Sequence, residues 1–482
     1  MSRSLSYDVV VVGAGPNGLA AGIVLARAGY SVVIFEAAPQ PGGGMRSASF
    51  TRPGFIHDIC STVHALGVSS PFLRSLPLAQ YGLEWVIPQI PLAHPLGDDQ
   101  AVILERSVKE TSHHLGLDAL NYRRLMDPFV DKETVFFKDI LAPPWHWPHD
   151  AWTTARFGFY GIQSSNGLSR RLFQGQDARA LFSGLCAHAN RPLDQSLTGA
   201  FGLLLAVAGH TNGWPFARGG SGNLSQALTL YFQSLGGHIK TNHRVTSLQE
   251  LPRARVIMGD ITPRQLLALA SKMLPEDYKN KLRNYRYGPG VFKIDWALAG
   301  PIPWHATACA RAGTVHIGGT LQEIARSEWD VWKGNHPKEP FVILTQPSLC
   351  DGSRAPDGHH TASAYCHVPL NSTVNMTHVI ESQIERFAQG FCGLVLARHI
   401  MTTSQLENHN ANIVGGDING GLMDLPQFLF RPTPRWDPYS TPCKGLYLCS
   451  SSTPPGGGVH GMCGYYAAQS VLRREFGWSK SP

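Results

Sequence analysis

Three glycines, Gly13, Gly15 and Gly18, follow directly on the apolar run Val9-Val10-Val11-Val12. Each spacing has a chemical use. Gly13 lets the chain turn sharply off a strand. Gly15 carries no side chain, so backbone can approach a pyrophosphate. Gly18 lets the following helix pack tightly on the sheet. Pro16 and Asn17 open that helix, whose free N–H groups and positive dipole end would face the phosphates. Glu36 lies 18 residues beyond Gly18, placed to accept hydrogen bonds from ribose hydroxyls. The chemistry implied is the holding of a dinucleotide.

The elements that must position these residues are also written in the sequence. A small-residue helix runs to Gly29, and Ser31 to Phe35 is a second apolar strand ending at Glu36. A second glycine turn follows, Pro41-Gly42-Gly43-Gly44-Met45-Arg46-Ser47. A second turn with an arginine just after the ribose acid resembles the flavoproteins that bind FAD at their N-terminus. A nicotinamide enzyme has no need of it, and a glutamate argues against a 2′-phosphate. FAD is therefore expected over NAD, and NAD over NADP.

Size and composition narrow the class. At 482 residues the chain has room for two or three domains. With 43% hydrophobic and 16% charged residues it builds a large core. The net charge of +7 comes without a dense Lys/Arg run, so no nucleic-acid partner is expected. Arg170, Arg171, Arg179 and Arg191 make a locally basic region, read as a solvated helix face, with contact to anionic headgroups the sharper alternative. The nine cysteines show no C-x-x-C, so neither a zinc site nor a disulfide framework is expected, and a reducing compartment fits. His359, His360 and His367 fit no common metal spacing. No apolar run reaches the ~20 residues of a spanning helix. The expected location is cytoplasmic, with peripheral membrane contact as an option.

Further along, Leu141 to Pro148 reads as a loop over an apolar site or at a surface. Asp177 to Ala208 reads as a largely helical stretch. Trp214 to Asn223 is a turn cluster opening a helix to Leu235, closed by Gly236-Gly237. His238 to Leu248 alternates like one strand, and Ala254 to Met258 is a short one. Asp260 and Pro263 open a helix to Met273. Val291 to Leu298 is a strand with Lys293 and Asp295 on one face; Phe341 to Gln346 and Ala362 to Val368 are two more. Met376 to Gly390 is an amphipathic helix. Gly445 to Ser450 is a buried strand, Thr453 to Gly461 a loop, and Gly464 to Phe476 a last helix.

With these motifs in hand the chain resembles the phytoene desaturase and carotenoid isomerase group of FAD oxidoreductases, most of all the branch of pyridine nucleotide-disulfide oxidoreductase domain-containing proteins. The carriers are the N-terminal glycine turns, Arg218-Gly219-Gly220-Ser221-Gly222 with Gly236-Gly237-His238-Ile239, and the end from Gly445 to Ala468. The resemblance implies an α/β fold with an α+β substrate part: a Rossmann-type FAD-binding domain with an inserted substrate domain, amine oxidase-like. The FAD domain would comprise residues 1–85, 215–290 and 410–482, and the substrate domain residues 86–214 and 291–409. It implies a backbone contact to adenine at Val245, and a loop Ser451 to Val459, Gly458 included, along the ribityl chain. Gly43, Gly44, Met45 and Arg46 would lie on the flavin side. Two departures stand out: Ser247 to Arg255 is short, and Ser450-Ser451-Ser452-Thr453 carries no acid.

Hydride abstraction from carbon asks for little beyond the flavin and a dry site. Trp145, Trp147, Trp152, Phe157, Phe159, Tyr160 and Trp214 could line an apolar tunnel, or be ordinary core aromatics. Lys293 could hold a water near the flavin, as in amine-oxidising flavoenzymes, or simply pair with Asp295. His57 and His460 are placed by resemblance near the flavin, where a histidine could relay a proton. The expected function is dehydrogenation of an apolar or unsaturated small molecule, with oxygen or a quinone as acceptor. A redox-neutral isomerase, a non-catalytic flavoprotein scaffold and an amine oxidase are the alternatives.

Overall fold

The computed structural model describes residues 7–97 and 99–478. Five strands form a wholly parallel sheet in the order Leu446–Leu448, Ala254–Gly259, Tyr7–Val12, Val32–Phe35, His238–Lys240. These strands come from three separated stretches of chain. The central ones are unbroken Val/Ile runs because both faces of the sheet are covered. Helix Pro16–Arg27 starts on Pro16, whose missing N–H costs nothing there, and is buried from Asn17 to Ala26.

Glycine is required where this helix meets its neighbours. A Cβ at Gly18 would sit 2.0 Å from the Gly13 carbonyl oxygen, closing the turn. One at Gly464, on the last helix Met462–Phe476, would sit 1.9 Å from the Asn17 carbonyl oxygen. Gly464→Ala is therefore expected to force the first and last helices apart and to cost roughly 1–3 kcal/mol in chemical denaturation. Gly158→Ala, on a helix face with nothing within 4 Å, is the control and should be neutral or slightly stabilising.

The second sheet has seven strands, in the order Val395–Met401, Gly290–Leu298, His360–Val368, Val342–Thr345, Ala312–Ile317, Ile90–Pro95, Ala101–Leu104. All neighbours are antiparallel except Ala312–Ile317 beside Ile90–Pro95. Alternation sorts its two faces. Phe292, Ile294, Trp296, Ala364, Leu344 and Ile317 bury one face against helix Thr377–Glu385. Lys293, Asp295, Ser363, Tyr365, Thr345 and Thr314 stand on the other, as the register places Lys293 opposite Tyr365 and Asp295 opposite Ser363. Helices Gln176–Ala187 and Thr198–Thr211 pack on its Ile90–Pro95 and Ala101–Leu104 edge. None of the described helices is long and apolar enough to cross a membrane.

Two expectations need correction, and a third gains detail. The alternation from His238 to Leu248 yields a strand only to Lys240. There Glu36 N–H takes the Lys240 carbonyl, Asn242 adopts φ 54°, and His243 N–H returns to the Glu36 carbonyl, so the chain curls around the strand end. The helical stretch from Asp177 to Ala208 is two helices, Gln176–Ala187 and Thr198–Thr211, divided at Asn190 and Leu197, both with positive φ. The helix expected from Met376 to Gly390 ends at Glu385.

Candidate functional site

The two glycine turns abut. Gly42 N–H donates to the Ala14 carbonyl at 2.8 Å, and a Cβ at Gly43 (φ 54°) would come within 3.0 Å of the Gly15 Cα. Between the turns and the face of the larger sheet opens one continuous cavity of about 950 Å³. Gly13, Gly15, Pro16, Asn17, Glu36, Gly43, Gly44, Arg46, Val245, Ser451, Gly458 and Val459 all line it. Two glycine-motif neighbours do not. Gly18 turns its N–H to Asp260 at 3.0 Å, and Met45 is wholly buried in the core.

Each end of the cavity has its own chemistry. At the first, the Glu36 carboxylate accepts the Ala14 N–H at 2.7 Å and the Ala38 N–H at 2.8 Å. It thus steadies the first glycine turn as well as offering an acceptor. The curled segment after Lys240 brings His243 to Thr246 beside it. In the middle, Arg46 is held by the Gly43 carbonyl at 3.1 Å and the His409 carbonyl at 2.8 Å. The buried Asn17 Oδ1 has no hydrogen-bond partner. At Gly44 the nearest atom to an added Cβ would be the Cys60 Cβ at 3.7 Å, so backbone is accessible there. A helix N-terminus, an arginine and open glycine backbone suit a pyrophosphate.

The far end is the sheet face. Lys293 is buried, lines the cavity and pairs with Asp295. Asp295 Oδ1 also accepts the Ser363 hydroxyl at 2.6 Å, and His57 Nδ1 lies 3.9 Å away. Burial pushes the Asp295 carboxyl up, but Lys293, His399 and His57 outweigh it and hold it below the usual range. Around this pair stand Thr314, whose buried Oγ1 has no partner, Thr345 and Tyr365, with Val291, Ile343, Leu205 and Trp214 between them.

His57 and His460 do not line the cavity. His57 is buried behind Asp295, stacked on Phe50 with its Nε2 2.7 Å from Thr51, and burial pushes it down to about 4. His460 Nδ1 accepts the Met462 N–H at 3.0 Å and so caps the last helix; burial holds it near 4. The glycines around His460 leave no open space, because Leu66, Phe72 and Ala20 pack against them. Of the proposed tunnel aromatics only Trp214 reaches the cavity. Trp145, Trp147, Trp152 and Phe159 are exposed, and Phe157 packs against Phe129 and Phe136. In the basic region, Arg191 is buried on the Met423 carbonyl, while Arg170 and Arg171 are exposed. Among the described residues no group of three or more His, Cys, Asp or Glu side chains is arranged to hold a metal.

Sequence reasoning missed three contributors. Asp260 is buried at the end of its strand against the Gly13–Gly18 turn, and burial, opposed by the Gly18 N–H and reinforced by Glu36, pushes it up to about 7. The loop from Asn408 to Gly420 walls the cavity, with Asn412 donating to the Asp260 carbonyl at 2.8 Å. His188 lines the far end, 3.0 Å from His316 and pushed down by burial to about 3.

Comparisons with known proteins agree with this architecture. Residues 11–76 match the family described as NAD(P)-binding Rossmann-like domain. The chain is 27% identical to pyridine nucleotide-disulfide oxidoreductase domain-containing protein 2 of Mus musculus, over 97% of this chain and 93% of that one. It is 25% identical to the lycopene-forming phytoene desaturase of Pantoea ananas, over 96% and 98%. A putrescine oxidase structure superposes with a TM-score of 0.62 at 17% identity, over 98% of this chain and 100% of that one, which is a likeness of fold. The parallel sheet and its glycine turns form a Rossmann-like nucleotide-binding domain, and over nearly its whole length the chain is similar to oxidoreductases, a phytoene desaturase among them.

Proposed function

We propose that this protein is an FAD-dependent oxidoreductase that dehydrogenates a largely apolar carbon substrate. What supports the reading is the continuity of the cavity, from the paired glycine turns to the sheet face at Lys293. The residues present fit FAD. The N-terminus of helix Pro16–Arg27 and Arg46 would hold the pyrophosphate, Glu36 the ribose, and Val245 would lie along the adenine. Gly44, Ser451, Gly458 and Val459 would flank the remainder. Bound there, the flavin supplies the hydride acceptor.

The chain's own residues then do the rest. Leu205, Trp214, Val291 and Ile343 bind apolar substrate and exclude water. Thr314, Thr345 and Tyr365 offer hydroxyls to a polar substituent on it, because an unmet Thr314 Oγ1 is costly to leave buried. Lys293, fixed by Asp295, places an ammonium donor at the same face. Reoxidation would be by oxygen or a quinone. A second reading, amine oxidation, is favoured by one observation: the Lys293 side chain reaches the cavity.

The purified protein is expected to be yellow. Anaerobic addition of an unsaturated, carotenoid-like substrate should bleach its flavin absorbance, and air or a quinone should restore it. Turnover without acceptor consumption would point to isomerisation. Bleaching by amines alone would favour the second reading. No bleaching by any substrate, with bound flavin present, would leave a binding protein.

A further inference from the structure

The segment from Trp145 to Ile162 presents a surface that a water-soluble face does not normally carry. Trp145 is 60% exposed, Trp147 95%, Trp152 76% and Phe159 61%. Within helix Ala151–Gly161 and the residue after it, the exposed positions are Ala151, Trp152, Ala155, Gly158, Phe159 and Ile162, every one apolar. Solvated helix faces carry charge. This helix is not loose. Phe157 packs against Phe129 and Phe136, and Gly161 lies against Ala200. Asp150 caps its start by accepting the Trp152 and Thr153 N–H groups. The fold therefore holds an apolar, aromatic face outward.

Its border is cationic. Arg170 and Arg171 end the next helix, Ser165–Leu172, both exposed, and the Arg171 guanidinium lies 5.9 Å from the Phe159 ring centroid. Tryptophan and phenylalanine beside arginine match the boundary of a bilayer, where rings sit at headgroup level and guanidinium groups meet lipid phosphates. A second copy is a poorer occupant. A two-fold dimer through this face would bring the same cationic border to both sides of one contact.

We propose that the Trp145–Ile162 face, with Arg170 and Arg171, docks the protein on an anionic lipid bilayer. The face also has a route inward. Its helix packs on helix Thr198–Thr211, which supplies Leu205 to the cavity wall. The inference does not depend on the redox reading, since vesicle binding can be measured whatever the cavity does.

The test is flotation of the full chain with vesicles of phosphatidylcholine alone or mixed with phosphatidylglycerol. The wild type should float with the mixed vesicles and much less with the neutral ones. The triple variant Trp147→Ser, Trp152→Ser, Phe159→Ser alters only exposed side chains. It should keep its circular dichroism and thermal midpoint, yet lose about ten-fold or more in affinity. Arg170→Glu with Arg171→Glu should abolish the preference for the anionic vesicles. Four results would overturn the proposal: no flotation with either vesicle, equal flotation with both, an unimpaired triple variant, or a dimer in ultracentrifugation that the triple variant dissolves while flotation is unchanged.

Discussion

Asp260→Asn is expected to be more stable than the natural chain above pH 7 and indistinguishable from it near pH 4. The buried carboxyl titrates at about 7 in the folded protein against an ordinary 3.8, with desolvation the main cause. Its folded-state pKa is raised, so the unfolded chain gives up its proton first. Stability is therefore lost as pH climbs from about 4 to about 7, and the loss is constant above that. The gap sets a ceiling of ~4 kcal/mol on what the amide recovers. Asparagine keeps an oxygen for the Gly18 N–H, so the turn should not suffer. Denaturation of the FAD-free protein at several pH values reads the effect. A variant less stable than the natural chain at pH 8, or a difference that ignores pH, would show that the carboxylate is needed in its charged form. The same residue bears on FAD. An ionised carboxylate beside the pyrophosphate repels it, so affinity in the natural chain should fall above pH 7, while that of the variant should stay level.

Lys293→Met should cost about 3 kcal/mol at pH 8, because removing one partner of a buried ion pair strands the other. Without the lysine, Asp295 keeps the Ser363 hydroxyl and two histidines, one of which, His57, is neutral at that pH. The loss should shrink toward pH 5 as Asp295 takes up a proton. Adding Asp295→Asn should return most of the stability. Flavin bleaching by amines separates the two roles of the lysine. If it survives in the stability-restored double variant, the lysine only positions the sheet face and takes no part in oxidising amines.

The nucleotide half of the site was legible because its rules are local. The spacing of Gly13, Gly15 and Gly18 and the distance to Glu36 are set by one strand, one turn and one helix. Val245 lines the cavity although its supposed strand ends at Lys240, because the curl around Glu36 returns the chain to the same edge. Asp260 was invisible, since its contact with Gly18 spans 242 positions and nothing nearby announces it. The aromatics from Trp145 to Tyr160 misled for the opposite reason. Composition says that such residues want burial, and only the packing of Phe157 reveals that the helix turns its other rings outward. The resemblance alone brought His460 toward the flavin, yet left-handed glycines such as Gly458 and Gly461 draw its loop tight.

The parallel sheet draws its five strands from the beginning, the middle and the end of the chain. On a ribosome, the Val32–Phe35 strand must wait for the His238–Lys240 strand, and Ala254–Gly259 for Leu446–Leu448. The first helix cannot close on Gly464 until that distant residue has been made. Such distant pairings are slow to form. The newborn chain therefore carries uncovered valine strands until Leu446–Leu448 emerges, and chaperone supply during translation should govern its yield more than the equilibrium stability of the folded molecule does.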